Sequence, residues 1–204
     1  MPNSTKTYKI LIGLMFILFA NFSNAQKTNH LISFTPTKAN LSYGLSIGLW
    51  NMPNPPLNQT YNGINIELIG MGWLTPFLGL DNEQTMHKNL QKINGFSFGL
   101  TLLNDKVNGL AFSPLIATTT NCNGIQFSLI NNSIGVANGL QLGLTNFGIK
   151  HNGLTIGLYN WTYESNGIQI AIFNKSKDLK GFQIGLLNIN QKRTLPFINW
   201  SFKK

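Results

Sequence analysis

Large apolar residues recur at every second position in nine short stretches of this chain, and a turn-forming dipeptide introduces each one. In the most regular part they read NGIQFSLIN, NGLQLGLTN, NGLTIGLYN, NGIQIAIFN and KGFQIGLLN, starting at Asn123, Asn138, Asn152, Asn166 and Lys180. Four looser copies come earlier: YGLSIGLWN from Tyr43, NGINIELIG from Asn62, NGFSFGLTL from Asn94 and NGLAFSPLI from Asn108. Counted from the first residue of each copy, the third, fifth and seventh positions form apolar columns, such as Leu140, Leu142 and Leu144 or Leu154, Ile156 and Leu158. Period-two alternation over seven residues is a β-strand with one apolar face. Its other face carries Gln, Ser or Thr and then a tiny residue: Ser128, Gly143, Gly157, Ala171 and Gly185.

The residues between the columns read as structural. Gly44, Gly63, Gly95, Gly109, Gly124, Gly139, Gly153, Gly167 and Gly181 stand second in their copies, where glycine supplies a positive-φ corner at no steric cost. Asn131, Asn146, Asn160, Asn174 and Asn188 close the regular copies. Their amides can bond the local backbone or stack from copy to copy as a hydrogen-bonded ladder.

A repeat of 14–15 residues points to an all-β array, and two architectures fit it. In a β-solenoid each copy is one coil, neighbouring copies pair in parallel, and the three apolar columns fill the interior. In an antiparallel meander closed into a small outer-membrane barrel, those columns face lipid and the polar ones line the lumen. Uniform copy lengths and identical corners favour a solenoid of about nine copies with one short helical insertion. The insertion is placed at about 70–93, where the period breaks. Asp81 or Asn82 offers a helix cap there, and Met86, Leu90 and Ile93 fall at helical spacing. Pro114, on an apolar column, suggests a bend or an edge. The closing segment, about 194–204, resembles a cap more than another copy.

Ahead of the array, residues 1–25 have the form of a secretory signal peptide. Lys6 and Lys9 precede an apolar run from Ile10 to Ala20, and Ser23-Asn24-Ala25 offers small residues for cleavage. That reading makes 26–204 a single β-repeat domain and the protein an exported one, destined for the cell surface, outer membrane or periplasm of a Gram-negative-type bacterium.

Composition narrows the chemistry. Charged residues make up 10% of the chain, and the formal net charge is +9, two units of it in the leader. The basic residues are scattered, with small groups only at Lys175 to Lys180, Gln191 to Arg193 and Lys203 to Lys204. A nucleic-acid footprint would cluster them on one face with stacking aromatics, so nucleic acid is not an expected partner. The single cysteine, Cys122, reads as a small packed residue without the Cys/His pattern of a catalytic thiol. Glu83 and His87 lie one helical turn apart but lack a third ligand, and Ca²⁺ repeats would place Asp at every turn. No cofactor or metal is therefore expected.

Copies such as NGLQLGLTN and KGFQIGLLN, with the closing NQKRTLPFINW, resemble exported surface-repeat proteins of the LA_2272 type, found in Bacteroidetes and spirochaetes. The resemblance runs from about Tyr43 to the C-terminus. It implies an envelope or surface location, with no enzymatic role and no catalytic residues to carry over. Six acids, Glu67, Asp81, Glu83, Asp105, Glu164 and Asp178, form no recurring pair. The expectation is a non-enzymatic structural or adhesive scaffold meeting a protein or glycan at the cell surface, or associated with the outer membrane. An integral barrel is the alternative. A secreted enzyme acting on envelope polymer, with Glu67 as one of the paired carboxylates it requires, is the third reading.

Overall fold

The computed structural model describes residues 28–29, 31–35, 40–50, 59–74 and 91–202. The signal-peptide reading, the helix expected over most of the insertion and the Glu83–His87 pair lie outside these residues. Ten strands run in chain order: β1 Thr28–Asn29, β2 Ile32–Thr35, β3 Leu41–Gly48, β4 Thr60–Glu67, β5 Lys92–Gly99, β6 Thr101–Leu142, β7 Thr145–Ile156, β8 Tyr159–Ile170, β9 Phe173–Ile189 and β10 Thr194–Ser201. From β3 to β9 every neighbour pairs in parallel with the copies in register, Gly44 on Gly63 on Gly95 on Gly109 and Gly139 on Gly153 on Gly167 on Gly181. Parallel stacking of coils about 14 residues long is a β-solenoid. The antiparallel meander and the barrel built from it are thereby excluded, because a meander alternates strand direction.

Two corners explain why 14 residues close one coil. The nine glycines that stand second in their copies all have positive φ, between +84° and +144°, a region L side chains avoid. At Gly153 a Cβ would also press on the Gly139 backbone, 3.0 Å from its carbonyl carbon and 3.2 Å from its Cα. The second corner falls at Gly143–Leu144, Gly157–Leu158 and Ala171–Ile172, where the strand is interrupted between β6 and β7, β7 and β8, and β8 and β9.

The ends depart from the repeat. β2 adds in parallel to β3, and β10 turns back antiparallel on β9 with a register shift between Leu195 and Phe197. Within the expected insertion, Gly72–Leu74 forms one 3₁₀ turn, and Met71 packs on Leu103 and Ile134. Ile93, read as the last apolar residue of a helix, belongs instead to β5 and is fully buried. Pro114 forms no edge; it stands seventh in its copy, the position that Leu144 and Leu158 hold at the second corner, and the strand runs on through it. It points outward within β6 and withdraws no inward donor.

Candidate functional site

The apolar columns do not fill the interior. They cover the outside, and the polar columns are sealed within. Gln126, Gln141, Thr155, Gln169 and Gln183, one per regular coil, are at most 1% exposed, whereas Leu144, Leu158 and Leu186 on the apolar side are 49, 50 and 62% exposed. The sequence gives the alternation but leaves open which face closes inward, and here the solenoid takes its strand direction from one expected architecture and its polarity from the other.

The tiny residues explain the inversion. At Gly143 a Cβ would come within 2.6 Å of Asn131 Nδ2 and 3.1 Å of Asn146 Oδ1. At Gly157 it would lie 2.7 Å from Asn146 Nδ2 and 3.0 Å from Asn160 Oδ1. A ladder of asparagine side chains passes over this position, so the face bearing the tiny residue must be the inner one, and its alternate positions must point out. The ladder is continuous. Asn131 Nδ2 donates to Asn146 Oδ1 (2.7 Å), Asn146 to Asn160 (2.8 Å), Asn160 to Asn174 (3.0 Å) and Asn174 to Asn188 (2.9 Å). Each of the first four also donates to a backbone carbonyl near the second corner, of Leu142, Ile156, Ile170 and Ile184.

A second ladder, unforeseen in the sequence, joins the asparagines of the Asn-Gly corners. Asn94 donates to Asn62, Asn108 to Asn94, Asn123 to Asn108, Asn138 to Asn123, Asn152 to Asn138 and Asn166 to Asn152, at 2.6–2.8 Å. It donates toward the N-terminus, while the first donates toward the C-terminus, so the side-chain amide dipoles of the two ladders oppose each other. Between them the glutamines bridge coil to coil and across the interior. Gln183 Nε2 donates to Gln169 Oε1 (2.8 Å), Gln141 Nε2 to Ser133 Oγ (2.6 Å) and Gln169 Nε2 to Thr162 Oγ1 (3.0 Å). Buried amides are tolerable because they are paired: each such bond contributes about 1 kcal/mol net, and each orphan costs about 1–3 kcal/mol.

Outside, the apolar face is longer than the repeat. In β2, Ile32 pairs with Leu45 and Phe34 with Ile47, both exposed, while Ser33 and Thr35 point in. In β10, Trp200 pairs with Phe182 and Ile198 with Ile184, both exposed, while Asn199 and Ser201 point in. Neither strand is a copy of the repeat and one runs backwards, yet both prolong the same two outer columns. Stacked Phe98, Phe112 and Phe127 rings, 5.5 and 5.1 Å apart, stiffen one column, and the Phe182 ring meets Phe202 edge-on at 5.0 Å. Around the coil the apolar exposure continues through Ile130, Phe173, Ile149 and Tyr163.

The groups with chemical potential are dispersed. Glu67 is buried inside its coil, where it accepts a bond from Asn65 Nδ2 (2.9 Å), so its carboxylate reaches no external polymer. Cys122 is buried, and burial pushes its thiol up to about 11. His151 is buried with Nδ1 2.9 Å from Thr155 Oγ1, and burial pulls it down to about 4. Glu164 forms an exposed ion pair with Lys150 at 3.0 Å. Among the described residues no group of three or more His, Cys, Asp or Glu could hold a metal ion. A shallow groove of about 260 Å³ lies between Asn132, Phe147, Gly148 and Trp161, where a 15-residue coil meets a 14-residue one.

Set against family models, curated proteins and solved structures, the chain matches none. The geometry therefore speaks alone. It shows a repeat scaffold whose surface of interest is the outer apolar face, a feature the period-two pattern announced without saying which way it pointed.

Proposed function

We propose that this chain is a non-enzymatic scaffold of a bacterial cell envelope, exported and held at the surface, in the outer membrane or in the periplasm, where its outer face adheres to another envelope component. The observation that carries this reading is the inside-out coil. Most of its inward polar groups bond one another in the interior, and one outer face is an apolar strip without a charged residue. Contiguous apolar patches beyond a few hundred Å² mark interaction surfaces, and this strip runs the length of the array. The leader-like residues 1–25 and the resemblance to exported surface-repeat proteins supply the envelope location. The dispersal of Glu67, Cys122 and His151 inside separate coils supports a role without catalysis. Fractionation of cells producing the full chain tests the reading: the protein should collect in the envelope fraction and leave it on detergent extraction. Recovery in the cytoplasmic fraction would sink the proposal.

A further inference from the structure

Resting on that reading, we infer that the outer apolar face docks on lipid: it lies on a leaflet of anionic phospholipid, immersed at the interface and not spanning it. Two outer columns continue through eleven rungs, from Ile32 and Phe34 to Trp200 and Ile198. Strands about 4.8 Å apart make that about 50 Å of strip, and the four residues between the third and seventh positions make it about 13 Å wide. None of its outward residues is charged.

The strip offers about 650 Å², at the low end of the roughly 600–1,000 Å² per partner of a standard protein interface, and two copies of this basic chain repel one another where an anionic leaflet attracts both. Charge then selects the kind of lipid. Among the described residues eight Lys and Arg stand against four acids, one of which, Glu67, is sealed inside. Five of the eight, from Lys175 to Arg193, crowd the C-terminal end, where Arg193 lies over the Trp200 ring at 4.4 Å. An aromatic ring with a cation on it belongs at headgroup depth, with its apolar body inward and its charge toward phosphate.

The test is vesicle flotation of the purified full chain, with pure phosphatidylcholine vesicles and with vesicles carrying one-third phosphatidylglycerol. Wild type should float with both and bind the anionic vesicles at least tenfold more tightly, an advantage that salt erases. Phe127→Asp places a charge in the acyl layer and should weaken binding to both about 100-fold, with the circular dichroism of the β-array intact. Should that variant not fold, the milder Leu144→Ala/Leu158→Ala pair should still lose at least tenfold. Lys177→Glu/Lys180→Glu should lose tenfold or more on anionic vesicles alone.

Lipid docking is overturned if wild type stays at the bottom of the gradient with both vesicles, if it sediments as a dimer that vesicles do not dissociate, or if the apolar-face variants float as wild type does. A chain that fails to float yet fractionates with the envelope overturns lipid as the occupant and leaves the scaffold reading standing. Its absence from the envelope fraction overturns the scaffold itself.

Discussion

Between Tyr61 and Cys122 the coil interior mixes hydrocarbon with short polar side chains such as Asn65, Ser97 and Asn104, whereas from Gln126 to Asn188 amides predominate. Tyr61, Ile93, Leu102, Val107, Ala111, Ala117 and Cys122 form one buried apolar cluster in the earlier coils, and Ala137 carries it into the first of the later ones. In the later coils the residues in register with Tyr61, Ile93, Val107 and Cys122 are Ala137, His151, Ser165 and Leu179, and the Asn ladder and the Gln bridges fill the interior beside them. Both fillings close the same 14–15-residue loop, and both sit behind the same apolar outer columns. The interior is thus the negotiable part of this molecule, and the outside is what stays fixed. Ordinary globular proteins have it the other way round.

The corner is common to both halves, so breaking it should cost most. Gly153→Ala should lower stability by more than about 4 kcal/mol, because φ strain of about 1–3 kcal/mol adds to an overlap that only a shift of the neighbouring coil relieves. Gly95→Ala, in the apolar half, should cost about the same, since its φ is +131° and Gly153 stands at +132°. Chemical denaturation of the two variants measures this. A cheap Gly95→Ala would mean that the hydrocarbon-filled half tolerates a shifted coil.

Acid should separate the halves next. Burial holds His151 at about 4, below its ordinary value of 6.5. The unfolded chain therefore binds a proton that the folded one refuses. Its contribution is fully present above pH 6.5 and is lost as pH falls toward 4, at most on the order of 3 kcal/mol. Thermal unfolding followed from pH 7 to pH 4 should show that loss. His151→Ser, which copies the Ser165 paired with it in the next coil, should flatten the profile. An unchanged slope would assign the acid sensitivity to other groups.

Filling is the third contrast. Gln169→Leu places hydrocarbon in the amide column, leaving Gln183 Nε2 and Thr162 Oγ1 each short of one partner. The expected cost is about 2 kcal/mol in urea denaturation, although leucine is the more hydrophobic residue. A neutral result would show that the amide interior contributes nothing that hydrocarbon cannot replace.

How much of this was legible beforehand follows from particular residues. The 14-residue spacing and the Asn-Gly corners favoured parallel coils without excluding a meander, because identical copies pair most simply with neighbours bending at the same place. The direction of Leu142 and Leu144 was not legible from alternation, since a strand has two faces and tertiary closure decides which is buried. A signal did exist in the tiny residues at 128, 143, 157, 171 and 185: a face kept empty at one position is a face along which another side chain runs. The extension of the outer columns into β2 and β10 was hidden for another reason. Ile32, Phe34, Ile198 and Trp200 carry no Asn-Gly corner, and only the strand register places them in line.

The boundary between the two fillings is itself a point of attack. The ladder of copy-closing asparagines starts at Asn131, whose Oδ1 is buried without a partner, because the preceding coil carries Ile116 where an asparagine would donate. That residue is half-buried, and the two copies stand 15 residues apart, the same separation across which Asn123 reaches Asn108. Ile116→Asn should therefore extend the amide ladder by one rung into the apolar half. Satisfying the orphaned oxygen is worth about 1 kcal/mol, offset by the apolar contact the isoleucine gives up. The net expectation is a rise of about 1–3 °C in the unfolding midpoint. A fall instead would mean that Ile116 belongs energetically to the hydrocarbon cluster and that the ladder begins at Asn131 because grease ends there. A rise would mean that amide and hydrocarbon fillings are interchangeable coil by coil, with the outer face unaffected in either case.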